Sequence, residues 1–188
     1  MLDEEDVSPC CVRCRQAGFL THHQEIIASL AYDDVSKPFL LRLKERNETY
    51  LALVFARFFD KRNWQGVDMF VPVPQHPLRL LQRTYSQSAL LALGIRHWNP
   101  DAPPVQLGVL ERIRNTPKQK GMNAEQRLQN VQGCFAVPTK AMPRVKGKSI
   151  ALIDDVAGSG ATLGECKKTL LEAGAREVRL LVVAKSCS

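Results

Sequence analysis

"SIALIDDVAGSGATL", residues Ser149 to Leu163, passes from an apolar run into two adjacent acids, then into small residues closed by a threonine. The unbroken run "SIALID" fits a strand buried on both faces, because a half-exposed strand would alternate apolar and polar residues. "GATLGECKKTLLEAGA" follows with Leu163, Cys166, Leu170 and Ala173 on one helical face, and Gly174 ends it. "EVRLLVVAKS" reads as the next strand. Strand, helix and strand at this spacing make a right-handed crossover in a parallel sheet, so the fold class is α/β.

Upstream, Leu40, Leu41, Leu43, Leu51, Val54, Phe55, Phe58 and Phe59 suggest one or two amphipathic helices between Pro38 and Asp60. "DMFVPV", Asp68 to Val73, reads as a short strand that the prolines of "PVPQHP" stop. Leu90, Leu91 and Leu93 fit a helix from about Ser86 to His97, and "NPDAPPV" is a proline-rich loop. Gly108 to Gly133 is polar and basic, a long loop leading into a helix near Asn123–Asn130, and "GCFAVP" looks like a further strand. Structureless stretches of this length inside compact domains are often lids.

The chain of 188 residues is long enough for one well-buried domain, and 45% apolar with 24% charged residues is ordinary globular composition. No apolar run approaches the ~20 residues of a membrane span; Arg57 interrupts the best one, "LALVFARFF". The acidic opening "MLDEEDVSP" lacks the basic-then-apolar order of a secretory leader. A cytoplasmic protein is expected, in which the six cysteines are thiols or metal ligands rather than disulfides. The net charge of +7 favours polyanionic ligands without naming one.

In open parallel sheets, ligands sit where strands end and helices begin. Asp154 and Asp155 fall at such an end. The residues after them, Val156, Ala157, Gly158, Ser159, Gly160, Ala161 and Thr162, carry little bulk, so a ligand can approach their backbone. Backbone N–H groups at the start of a helix form a phosphate site. Ser159 and Thr162 add hydroxyls, and Thr162 suits the N-cap. Two carboxylates repel phosphate, so they imply a ligand that also carries vicinal hydroxyls or a divalent cation. Ribose 5-phosphate meets both demands. The missing Gly-Lys-Ser/Thr excludes a Walker-type ATP site.

"IALIDDVAGSGAT" resembles the phosphoribosyl-diphosphate (PRPP) motif of type I phosphoribosyltransferases. "LLRLKERN", "VPVPQHPLRLLQRTYSQSALLA" and "LERIRNTPKQKGMNAEQRLQNVQGCFAV" resemble, in the same order, segments of the competence protein F (ComF/GntX-like) branch. The resemblance runs from about Tyr32 to the C-terminus. It implies a phosphoribosyltransferase-like parallel sheet over residues 32–188, flanked by helices and carrying a flexible hood, after a short Cys-bearing segment, 1–31. It implies a pyrophosphate-binding turn at Val73–His76 (Pro74, Gln75, His76), with Arg79 and Arg83 downstream and Pro74 or Pro77 able to supply a cis bond. It implies a hood at Arg112–Gly121, with Arg114, Thr116, Lys118, Gln119 and Lys120 near the leaving pyrophosphate. Lys44 faces the site or lies along the surface.

The implied chemistry is Mg²⁺-dependent transfer of ribose 5-phosphate from PRPP to an unknown acceptor, with release of pyrophosphate. Asp154 and Asp155 would stabilise the cationic ribose, with Mg²⁺ held near them directly, through water or through the ribose. The alternative is a non-catalytic, PRPP-responsive protein that binds single-stranded DNA. The family also implies a link to natural transformation and DNA-uptake proteins. Aromatic residues, at 6%, give few stacking platforms for single strands.

Two departures from the pattern stand out. In "RTYSQ", Thr84 and Ser86 replace the usual Gly and Asn. The family's paired Cys-x-x-Cys knuckles reduce here to Cys11-x-x-Cys14, with Cys10 adjacent and His22 and His23 beyond. Such a set needs a further ligand to hold zinc, so free cysteines are the favoured reading. Cys166 reads as a core residue.

Overall fold

The computed structural model describes residues 26–117, 119 and 121–186. Cys10, Cys11, Cys14, His22, His23, Lys118, Lys120 and Cys187 lie outside the described residues, and the zinc expectation with them. In chain order the elements are β1 (Ile26–Ala31), α1 (Ser36–Glu45), α2 (Tyr50–Ala56), β2 (Met69–Pro72), α3 (Pro77–Arg83) and α4 (Gln87–Trp98). Then follow β3 (Glu111–Arg112), α5 (Ala124–Val131), β4 (Phe135–Ala136), α6 (Met142–Val145), β5 (Ser149–Ala157), α7 (Ala161–Glu172) and β6 (Glu177–Lys185).

Four strands form one sheet in the order β1-β6-β5-β2, and every pairing in it is parallel. The fold class is therefore the α/β architecture expected from the Ser149–Leu163 stretch. β1 comes from the last six residues of the segment set apart as 1–31. Its intermediate-to-exposed residues at the sheet edge give it none of the apolar density that marks β5.

Period-2 alternation sorts the core into two layers. Phe70, Ala151, Ile153, Leu181 and Val183 pack under α1, α2 and α4, against Leu40, Leu43, Phe55, Leu91 and Ile95. Val71, Ile150, Leu152, Leu180 and Val182 face the other way, against Leu163, Cys166 and Leu170 of α7. Cys166 is fully buried there, as a core residue should be. Leu41, Val54, Phe58 and Leu93 correct the helical readings: all four are exposed, on the outer sides of their segments.

The "GCFAVP" strand is only two residues long and pairs antiparallel with β3, outside the main sheet. α3 has no counterpart in the sequence reading, which stopped at a proline-rich turn. His76 is its N-cap, with Nδ1 accepting from the Leu78 N–H at 3.3 Å, and Pro77 occupies the first helical position, where its missing N–H costs nothing. Every described peptide is trans, so neither Pro74 nor Pro77 supplies the cis bond envisaged for this turn.

Candidate functional site at the end of β5

β5 pairs with β6 as far as Ala157, but β2 stops opposite Ile153. From Asp154 onward one side of β5 is left without a neighbouring strand. A crevice opens there, at the carboxyl ends of the strands.

Alternation along β5 sends the two acids to opposite faces. Asp155 is 5% exposed and meets Lys44 of α1, Nζ to Oδ1 at 3.0 Å; the same oxygen accepts the Val156 N–H at 2.7 Å. Lys44 therefore reaches the acid pair through Asp155, and it is not among the residues that line the cavity at Asp154. Burial works against its charge, but Asp155 and then Asp154 hold the ammonium above its ordinary value. Asp154 is half-buried and accepts the Ser88 hydroxyl of α4 at 2.8 Å and the Asp155 N–H at 2.9 Å. Burial first, and the neighbouring Asp155 second, push its carboxyl up to about 7.

A cavity of about 280 Å³ is lined by Asp154, the 156–163 stretch, Gln119 and Arg127. Gly160 is the N-cap of α7, at φ +76°, and no side chain caps the helix. Glycine takes that left-handed conformation without the strain of a Cβ. The uncapped helix leaves its first N–H groups without a side-chain acceptor. Thr162 is thus not the N-cap; it sits one residue inside the helix, its hydroxyl accepting from Gln119 Nε2 at 3.2 Å.

The turn expected to hold pyrophosphate follows β2, beside the acids. Gln75 donates to Gln87 of α4. His76 is engaged as the cap of α3, Arg83 is half-buried in the last turn of α3, and Arg79 donates to the Thr116 carbonyl. Arg112 donates to the Thr116 hydroxyl at 2.7 Å and lies over the Phe135 ring, 5.4 Å from its centroid. The described residues of the 112–121 segment therefore meet α3 through Thr116 and the start of α7 through Gln119. Arg114 is exposed.

Thr84 and Ser86 acquire structural roles. Thr84 ends α3 at φ +63°, a conformation that glycine takes without strain. Ser86 is the N-cap of α4, accepting the Ala89 N–H at 3.3 Å, and serine caps as well as the asparagine it replaces. Tyr85 between them donates its hydroxyl to the Leu43 carbonyl at 2.8 Å, tying α1 to this corner.

Ser88 and Arg127 carry no role in the sequence reading, and Arg112 only that of opening the expected hood segment. Arg127 and Arg112 lie within the quoted "LERIRN…EQRLQNV" segments, the only sequence signal for them; Ser88 had none. As for Mg²⁺, only Asp154 of the acid pair faces the cavity, and no group of three or more His, Cys, Asp or Glu among the described residues could hold a metal. One free carboxylate fits an ion whose other ligands come from a diphosphate and water, and does not fit a dedicated protein cage.

The model of one protein family, described as the phosphoribosyl transferase domain, matches residues 55–187. Competence protein F of Haemophilus influenzae is 31% identical over 77% of this chain and 66% of its own length. Competence protein ComFC of Streptococcus pneumoniae is 29% identical over 90% of this chain and 70% of its own. The DNA utilization protein YhgH of Escherichia coli is 26% identical over 94% of this chain and 78% of its own. The chain belongs to the phosphoribosyl transferase domain family, in its competence protein F-like branch. It spans 66% of the length of the Haemophilus relative.

Proposed function

We propose that this chain binds PRPP and transfers its ribose 5-phosphate group to an acceptor, with release of pyrophosphate. The observation that carries the reading is the cavity at the end of β5, where Asp154 and the uncapped start of α7 line one space. The ribose 5-phosphate end would lie on the loop, with a ribose hydroxyl donating to Asp154. The turn at Pro74–His76 would receive the diphosphate.

Within this reading, Asp154 orients the ribose and offsets the positive charge that grows on it as the glycosidic bond breaks. Ser88 fixes the carboxylate, and Lys44 neutralises Asp155 so that the ligand meets one unpaired acid rather than two. Mg²⁺ bound to the diphosphate would supply charge neutralisation of the leaving group. The 112–121 segment would exclude water.

Calorimetric titration with PRPP, with and without Mg²⁺, tests the proposal. Saturable binding by the wild type that weakens at least tenfold in Asp154→Asn supports it. A folded wild type that binds no PRPP sinks it.

A second reading is favoured by the net charge of +7 and by the DNA-related names of the relatives: a PRPP-responsive, competence-associated protein that binds single-stranded DNA. Its affinity should fall with salt at a log–log slope of roughly −0.7 per contacted phosphate. A flat salt dependence removes it.

A further inference from the structure

Arg127 projects from α5 into the cavity over the phosphate loop, and its Nε is buried with no hydrogen-bond partner among the described residues. A guanidinium N–H withdrawn from water without an acceptor is costly. An oxygen of a ligand in the cavity would supply the missing acceptor. The orientation is built in: Val131, one turn further along α5, is fully buried, so the Arg127–Val131 face of the helix is its inner face. α5 itself is anchored at both ends. Asn123 and Gln126 form a reciprocal capping box at its start, both bonds 2.9 Å, and the Gly133 N–H just beyond its end donates to Glu165 of α7 at 2.7 Å.

The charges in the cavity point the same way. Among the described residues its lining is Gln119, Arg127, Asp154 and the 156–163 stretch, in which Arg127 is the single cationic side chain and Asp154 the single anionic one. A phosphate monoester brings a charge of about −1.5 to −2 at neutral pH. The helix start offers only about +0.5. With Asp154 in the same cavity, the backbone cradle alone leaves an excess of negative charge.

From these observations we infer that Arg127 is a direct ligand of the sugar's phosphate monoester, so that α5 reads the ribose 5-phosphate end of the substrate rather than the pyrophosphate. The inference rests on the proposed PRPP site and assigns it a side chain that the loop sequence does not contain. It also gives α5 a specific task. A sugar phosphate is gripped by the start of α7 and by Arg127, while the pyrophosphate end is left to the turn at Pro74–His76.

Three ligands separate the two ends: ribose 5-phosphate, inorganic pyrophosphate and PRPP, each titrated by calorimetry into the full chain. Arg127→Gln should bind ribose 5-phosphate and PRPP about 10- to 100-fold more weakly than wild type, the usual loss when a charged hydrogen bond is removed. Pyrophosphate affinity should stay within about twofold. Arg127→Lys should recover part of the loss as a point charge without the fork geometry. Because the Nε lacks a partner, neither substitution should lower the thermal midpoint. Undiminished ribose 5-phosphate binding by Arg127→Gln overturns the assignment, as does a loss confined to pyrophosphate. A wild type that binds pyrophosphate but neither sugar phosphate overturns the assignment and the PRPP reading together, whereas the variant outcomes touch the assignment alone.

Discussion

Lys44→Met isolates the ion pair that separates the two acids. The substitution keeps most of the side-chain volume and removes the ammonium 3.0 Å from Asp155, whose side chain is 8% exposed. Breaking a buried pair by deleting one partner costs about 3–5 kcal/mol, because an uncompensated charge stays behind. The Lys44 side chain is 32% exposed, so water offsets part of this and the lower end, about 3 kcal/mol, is expected. For a domain of this size that lowers the thermal midpoint by about 6–12 °C. Thermal unfolding followed by circular dichroism reads the effect. Asp155→Asn added to Lys44→Met removes the stranded charge and should recover most of the loss, to within about 1 kcal/mol of wild type. If Lys44→Met unfolds with the wild-type midpoint, or if the second substitution recovers nothing, the account of Asp155 as a buried, lysine-neutralised acid is wrong.

Asp154 makes a prediction of opposite sign. Its folded-state value is raised from 3.8 to about 7, so the folded protein binds more protons than the unfolded chain between those limits, and this group's contribution to stability falls as pH rises through that window. Asp154→Asn should therefore raise the thermal midpoint in Mg²⁺-free buffer above pH 7, with the gain vanishing towards pH 4. Equal midpoints for variant and wild type across this range would contradict it. Gly160→Ala places a Cβ in open space but at φ +76°, so the expected cost is about 1 kcal/mol of backbone strain, read by urea unfolding. Thr84→Gly relieves a β-branched residue at φ +63° and should stabilise by up to about 1 kcal/mol; a loss of stability would show that the Thr84 hydroxyl bond to the Arg83 carbonyl outweighs the strain.

The Ser149–Leu163 stretch was enough to set the α/β class, because a doubly buried strand, a one-sided helix and the glycines between them are local patterns. Burial periodicity carries that information within a few turns of chain. The same locality accounts for α4 and for the helix near Asn123. It also explains two omissions. β1 is an edge strand with little buried surface, and α3 is a seven-residue helix begun by a proline, so neither shows a period long enough to read.

What the sequence could not decide is the division of labour between two adjacent aspartates. Side-chain alternation along a strand sends neighbours to opposite faces, but which face meets Lys44 and which meets the cavity depends on how α1, α4 and α5 pack. Lys44 lies more than a hundred residues before its partner, and Arg127 lies in a polar stretch whose pattern does not say what it faces. The sequence alone established a parallel α/β domain with a loop of small residues after an acid pair. Only the tertiary structure showed that one acid is neutralised from behind, while the other lines the cavity together with an arginine.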